Sequence, residues 1–210
     1  MSRIPTHTVE NEPDAARPLL QAIAQSSPTG RPLNLHAHVA NSPAMLAAYT
    51  SLRAATAEHG TLDAKVSWAL NLATAATVGN DYMIGIASRF AGMNGWTEAQ
   101  IAALRAGTTT GDARIDALTD VVKDAAANSG KVTDATWKAA QQVGWSDEHL
   151  TEAFAFQGLT MFTGSGRATL GARRGRWSPR FARGSWWPGS RRRARPARPG
   201  SPARRAAPAQ

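Results

Sequence analysis

The stretch that decides the fold covers residues 62–87 and reads LDAKVSWALNLATAATVGNDYMIGIA. Apolar and small side chains recur in it three and four positions apart, the spacing of one helical face, at Val66, Ala69, Leu70, Ala73 and Ala76. We predict that Thr61 caps this helix, with Asp63 in the first turn, where the helix dipole favours an anion. Gly79 is predicted to end the helix and Asn80 to start the next one. The stretch therefore predicts two consecutive helices.

Helical patterns continue on both sides of this stretch. Thr97 and Gln100 have the spacing of a capping box, in which each side chain bonds to the backbone N–H of the other residue. Further helices are predicted from Asn41 or Ser42 to Gly60, from Thr97 to Gly107, from Asp112 to Gly130, from Thr133 or Asp134 to Gly144, and from Ser146 through Phe162. No segment shows the period-two pattern and turn residues of a β-hairpin, and no repeat of fixed length is recognised. We predict an all-α fold, a compact domain of about six to eight helices.

Charge divides the chain into two parts. Up to Gly164 there are 11 Lys and Arg residues and all 15 acidic residues, a net charge of −4. From residue 165 to residue 210 there are 13 Arg and no acidic residue, a net charge of +13. We interpret residues 1–164 as the helical domain. Residues 165–210 form an Arg-, Pro-, Gly- and Trp-rich tail, predicted to be disordered because it has too little apolar surface to offset the entropy of folding.

Three explanations of this tail stay open. Clustered Arg neutralises phosphates and Trp stacks on bases, so the tail could be a nucleic-acid-binding arm. It could also be a passive, solvated extension. A shifted reading frame is the third explanation, since a GC-rich gene read out of frame encodes mainly Arg, Ala, Gly, Pro, Ser and Trp. The abrupt change at residue 164 favours the frame shift.

The composition excludes several kinds of chemistry. The chain contains no cysteine, which rules out disulfides, zinc–thiolate sites and thiol nucleophiles. No segment has the length and hydrophobicity of a membrane span, and the polar first residues lack the layout of a secretory signal, so we expect a cytoplasmic protein. No phosphate loop or dinucleotide fingerprint is present, and we expect no cofactor.

Residues 62–87 resemble the core of the carboxymuconolactone decarboxylase family, which also contains the alkylhydroperoxidase D-like proteins. The flanks agree with this resemblance at Arg3-Ile4-Pro5, at Asn34, at Ser42-Pro43 and at Gly95-Trp96-Thr97-Glu98-Ala99-Gln100-Ile101. The similarity extends over about residues 1–164 and is absent from the tail. It implies a helical domain that assembles as a homo-oligomer, a trimer or a hexamer, without a membrane partner.

The redox branch of this family uses a glutamate, a Cys-x-x-Cys pair and a following histidine, as the resemblance implies. The two thiols form a disulfide, while histidine and glutamate relay protons. Position by position, the glutamate falls on Trp68, the two cysteines fall on Asn80 and Met83, and the histidine falls on Ala87. The decarboxylase branch is associated with a histidine, and Ala87 argues against that chemistry as well.

Two hypotheses about function follow from this loss. The first is a family member without the redox centre, which binds a small hydrophobic or aromatic molecule or is inactive. The second is an active decarboxylase or hydroperoxidase-type oxidoreductase that uses residues not yet identified. The candidate pocket residues are Trp68, Asp81, Tyr82 and Met83.

Simpler interpretations stand beside these candidates. Trp68 could be plain core rather than a pocket filler, Met83 could fill a gap in the core, and Asn80 could be a helix cap. His36 and His38 would share one face of a strand and could hold a metal there. A first coordination shell normally needs three or more ligands, and no third ligand lies near this pair, so we predict no metal site.

Overall fold

In the computed structural model of the chain, the structure describes residues 7, 10–11, 13–26, 30–32 and 34–170. Within those ranges the chain forms α-helices, one short 3-10 turn and no strand, so the all-α prediction is confirmed. The helices are α1 (Arg17–Ser26), α2 (Asn34–Val39), α3 (Pro43–His59), α4 (Ala64–Thr77), α5 (Asp81–Met93), α6 (Glu98–Ala106), α7 (Ala113–Ala127), α8 (Asp134–Gln142) and α9 (Asp147–Leu170). None of these helices is long and apolar enough to cross a membrane.

Most helix boundaries lie where the capping chemistry predicts. Ser42, Asn80, Asp112 and Thr133 each accept a hydrogen bond from a first-turn N–H, and Thr97 and Gln100 form the predicted capping box. Asn80 is therefore a helix cap, as its simpler interpretation predicts. Gly107 ends α6 in the left-handed conformation, with φ of 72°, which glycine adopts without the strain that a Cβ would cause.

The predicted cap of α4 is wrong by two residues. Asp63 is the cap, because its side chain accepts from the N–H of Val66 at 2.9 Å. Thr61 binds elsewhere: its N–H and its hydroxyl both donate to Oε2 of Glu152 on α9, at 2.8 and 2.6 Å. The α3–α4 connection is thereby held against α9, and the chain enters α4 later than predicted.

Three further features differ from the sequence-based expectation. Helices α1 and α2 were not predicted. His36 and His38 lie on helix α2 and not on a strand, so the arrangement in which the two would share one face of a strand is not present. Helix α9 continues to Leu170, past the boundary at residue 164, and the rest of the predicted disordered tail lies outside the described residues.

Helix α4 forms the centre of the molecule. It packs against α5, α6, α7 and α9, and every residue from Ala69 to Ala75 is buried. Small side chains on this helix let its neighbours approach closely, and burial of their apolar surface drives the packing. A second, smaller cluster joins α1, α2 and the start of α3 around Leu20 and Leu46.

The structure shows an internal repeat that is not recognised from the sequence. Helices α4–α6 and α7–α9 each begin after an aspartate cap, and each contains a Gly-Trp pair before its third helix, 49 positions apart. Trp96 donates to the carbonyl of Lys65 at 2.9 Å, and Trp145 donates to that of Arg114 at 2.6 Å, in both cases 31 residues earlier. The charged side chains of Lys65 and Arg114 also lie over these indole rings. Each unit therefore has the same tryptophan anchor, which consists of the indole N–H bond to a backbone carbonyl and the cation over the ring.

Candidate functional site

A cavity of about 70 Å³ lies beside the central helix, between α2, α3, α4, α5 and α9. Its walls are formed by Leu35, Tyr49, Arg53, Trp68, Asn71, Tyr82, Met83, Ile86, Phe90, Leu159 and Thr163. Several of these side chains are only half-buried, so the cavity opens toward solvent. The volume suits a small molecule or part of one.

One side of the cavity is apolar and aromatic. The rings of Trp68 and Phe90 stack with their centroids 4.6 Å apart and their planes at 12°. Met83 and Leu159 are buried beside them. Trp68 therefore both packs against the core and forms a cavity wall. A flat aromatic surface of this kind favours planar apolar groups, because offset stacking adds to the burial of apolar area.

Two phenols and a guanidinium also meet at the cavity. Burial raises the pKa of Tyr49, although the charge of Arg53 and its hydrogen bond to the phenol act in the opposite direction. Burial, together with the nearby phenol of Tyr49, raises the pKa of Tyr82 to about 12. Both phenols therefore keep their protons at neutral pH and can act as hydrogen-bond donors toward a ligand.

A chain of buried polar side chains forms the floor between α4, α5 and α9. Asn71 donates to the carbonyl of Ser67 and accepts from the hydroxyl of Thr160, each at 2.8 Å. Asn80 donates to the carbonyl of Thr160 and to the hydroxyl of Thr163, each at 3.3 Å. These bonds satisfy groups that would otherwise be costly to bury, and they fix α9 against the α4–α5 junction.

The residues to which the resemblance assigns the redox positions lie in this region, and they carry no redox group. Asn80, Met83 and Ala87 are 6%, 7% and 0% exposed. Asn80 is committed to the cap and to α9, since its side chain also accepts from the N–H of Met83 at 3.2 Å. At the two positions where the resemblance places the thiols, the structure has an amide that holds two helices together and a buried apolar side chain.

The structure brings three of the four candidate pocket residues together. Trp68, Tyr82 and Met83 line the cavity, whereas Asp81 is exposed and is not among the lining residues. Their role in binding stays a prediction. Tyr49 and Arg53 were not predicted, although their i, i+4 spacing on α3 places them on one helix face, which is the signal that could have found them.

His36 lies next to the polar side of the cavity. It is fully buried, and its ring centroid is 5.6 Å from that of Tyr49. Burial, assisted by the charge of Arg53, lowers the pKa of His36 to about 3, so its ring is neutral at physiological pH. Within the described part of the chain no three His, Asp or Glu side chains come together as metal ligands.

Comparison with known proteins identifies the scaffold. The model of the carboxymuconolactone decarboxylase family matches residues 43–124, which run from α3 into α7. No curated protein sequence matches the chain at a significant level.

Two solved structures share the fold. An alkylhydroperoxidase AhpD core, an uncharacterised peroxidase-related protein from Ralstonia eutropha JMP134, has a TM-score of 0.70 and 18% identity, over 82% of this chain and 91% of its own. An uncharacterised peroxidase-related protein from Silicibacter sp. TM1040 has a TM-score of 0.58 and 14% identity, over 74% of this chain and 81% of its own. At these identities the likeness shows the fold alone. Residues 43–124 therefore match the carboxymuconolactone decarboxylase family, the family that residues 62–87 predict, and the chain contains no cysteine.

Proposed function

We propose that this protein is a non-redox member of its family that binds a small, largely apolar molecule in the cavity between α3, α4, α5 and α9. The observation that carries the proposal is the cavity itself. The residues at the redox positions have changed, yet a space lined by stacked aromatic rings and a few polar groups is present beside them. Ligand sites generally combine apolar walls with a small number of placed polar groups.

Thiol-based peroxide reduction has no chemical basis in this chain. That reaction needs a thiolate to attack the peroxide and a second thiol to resolve the product as a disulfide. The chain has no cysteine, and the amide of Asn80 cannot take either role. We therefore infer that the redox activity of the family has been lost.

An active decarboxylase is the second candidate, because two phenols and a guanidinium meet at one wall of the cavity. A phenol that keeps its proton can donate it to a developing carbanion, so Tyr82 would be the acid in such a reaction. Turnover of a lactone acid that is lost in Tyr82→Phe would favour this candidate over simple binding. The basic tail favours nucleic-acid binding as a third candidate.

The family also supports a proposal about assembly and location. We infer a homo-oligomer, a trimer or a hexamer, that acts in the cytoplasm.

A cavity-blocking variant tests the binding proposal. Ile86 lines the cavity on α5, whereas Ile84 on the same helix packs against the core and does not line it. Titration calorimetry with phenol, indole, benzamide and benzoate should detect binding of at least one compound to the parent protein. Ile86→Trp should weaken that binding about tenfold or more, a change of at least about 1.4 kcal/mol, whereas Ile84→Trp should not.

Circular dichroism of both variants controls for unfolding, because both substitutions add volume to a packed helix. The proposal fails if no compound binds the folded parent protein, or if Ile86→Trp binds as tightly as Ile84→Trp.

A further inference from the structure

The charge distribution of the cavity narrows the class of ligand, and this step rests on the proposed function. Among the described residues that line the cavity, Arg53 is the only one that carries a charge at neutral pH. None of them carries a carboxyl group. The guanidinium lies close enough to Tyr49 and His36 to affect the pKa values of both. Among the described lining residues, a single cation thus stands in an otherwise uncharged space.

Hydrogen-bonding capacity at this wall points in the same direction. The guanidinium is a planar set of N–H donors, and the phenols of Tyr49 and Tyr82 add O–H donors that persist well above neutral pH. A carboxylate has two oxygens with several lone pairs, and its bonds to charged donors are about twice as strong as neutral ones. Arginine suits it particularly, since the guanidinium matches a carboxylate in shape.

The aromatic and aliphatic lining residues restrict the body of the ligand. The stacked pair of Trp68 and Phe90 presents an aromatic surface, and Ile86 and Leu159 add aliphatic contacts. The volume of about 70 Å³ holds only part of a single ring, so the rest of the ring has to extend through the open side. A second ionised group on the ligand would have to be buried against apolar walls, which is costly.

We propose that the cavity binds a small aromatic monocarboxylate, with its carboxylate on Arg53, Tyr49 and Tyr82 and its ring against Trp68 and Phe90. Arg53 is then the residue that determines specificity for the anion. Benzoate and benzamide make a suitable pair of probes, because they have nearly the same shape and differ in charge.

The test compares these two probes by calorimetry on the parent protein and on two arginine variants. Benzoate should bind the parent at least about tenfold more tightly than benzamide, since its bonds to the guanidinium are charge-assisted. Arg53→Gln should weaken benzoate about tenfold or more and leave benzamide unchanged. Arg89→Gln is the matched control, because Arg89 lies on α5, is half-buried and does not line the cavity. It should bind benzoate as the parent does.

The outcomes separate this inference from the function on which it rests. Equal binding of benzamide and benzoate, or benzoate binding that Arg53→Gln does not weaken, overturns the anion specificity and leaves the apolar site standing. If neither probe nor any neutral aromatic binds, both proposals fail. Should Arg53→Gln not fold, the comparison of the two probes on the parent protein still decides the question, and Arg53→Lys supplies a variant that keeps the charge and loses the planar donor set.

Discussion

At the scale of single residues, Asn80 joins two helices. The resemblance places the first cysteine of the redox branch at this position, whereas here the amide caps α5 and also bonds to two residues of α9. A cysteine cannot do this, because a thiol is a weak donor and a weak acceptor. A Cβ on Gly164 would come within 3.1 Å of the Asn80 amide nitrogen, so a small residue on α9 is part of the same arrangement.

The neutral state of His36 makes stability depend on pH. Its pKa is about 3 in the folded protein and about 6.5 when exposed, so folding favours the neutral ring. Above pH 6.5 the ring is neutral in both the folded and the unfolded protein, so His36 causes no loss of stability. As pH falls from 6.5 toward 3, only the unfolded protein binds the proton, and the folded state loses stability. Acidification from pH 7.5 to pH 5 should therefore lower the free energy of unfolding by on the order of 2 kcal/mol. His38, whose pKa is also lowered by burial, acts in the same direction.

Urea unfolding of the parent protein and of His36→Gln at both pH values measures this effect. The parent should lose more stability on acidification than the variant does, because other titrating groups are common to both proteins and cancel. Equal losses in the two proteins would contradict a neutral, buried His36.

The four residues Trp68, Asn80, Met83 and Ala87 were singled out by the resemblance to the family, and that assignment stays a prediction. Their places on two consecutive helices, α4 and α5, were predictable because local pattern determines helices. Tyr49 and Arg53 reach the same site from α3, and their meeting with Tyr82 depends on how two helices cross. Asp81 was misplaced, because a first-turn residue beside a cap points to solvent when the next two residues face the cavity and the core.

At the scale of helices, the boundaries were largely predictable because caps are short-range chemistry. The exception at Thr61 has a long-range cause, since Glu152 lies 91 residues away and accepts from that threonine. The short α2 was missed because six residues give little periodic signal. The repeat of α4–α6 in α7–α9 was missed because it rests on a few anchor residues, while the helices between them differ in length and composition.

The tryptophan anchors of this repeat should carry measurable stability. Trp145 is 6% exposed, bonds through its indole N–H to Arg114 and stacks under the same residue, with the guanidinium 4.1 Å from the ring centroid. Trp145→Phe keeps a ring and removes the bond, and should cost about 1–2 kcal/mol in the free energy of unfolding. Trp137 is the control, because its indole N–H bonds to no other described residue. Urea unfolding in which Trp137→Phe costs as much as Trp145→Phe would show that ring size, rather than the anchor, sets the loss.

At the scale of the whole molecule, the chain combines two electrostatically opposite parts. The helical part up to residue 164 carries a net charge of −4, and the remainder carries +13. The proposed ligand site and the buried network both lie in the acidic part, since the lining residues run from Leu35 to Thr163. Ligand binding and any binding of polyanions should therefore be separable by truncation. The cut belongs after Leu170, because α9 runs to that residue.

A chain ending at Leu170 gives the last prediction. Thirteen arginines without a compensating acid should bind single-stranded DNA through phosphate contacts. The affinity should fall steeply as the salt concentration rises, because binding releases counterions and their release is less favourable in concentrated salt. The truncated protein keeps one of those arginines on a net acidic body, so DNA binding measured by fluorescence anisotropy should be lost. Its affinity for benzoate should equal that of the full chain, because every lining residue is retained. DNA binding that survives the truncation would place the interaction in the helical domain and contradict this division of roles. Binding that is unchanged between low and high salt would contradict phosphate contacts by the arginines.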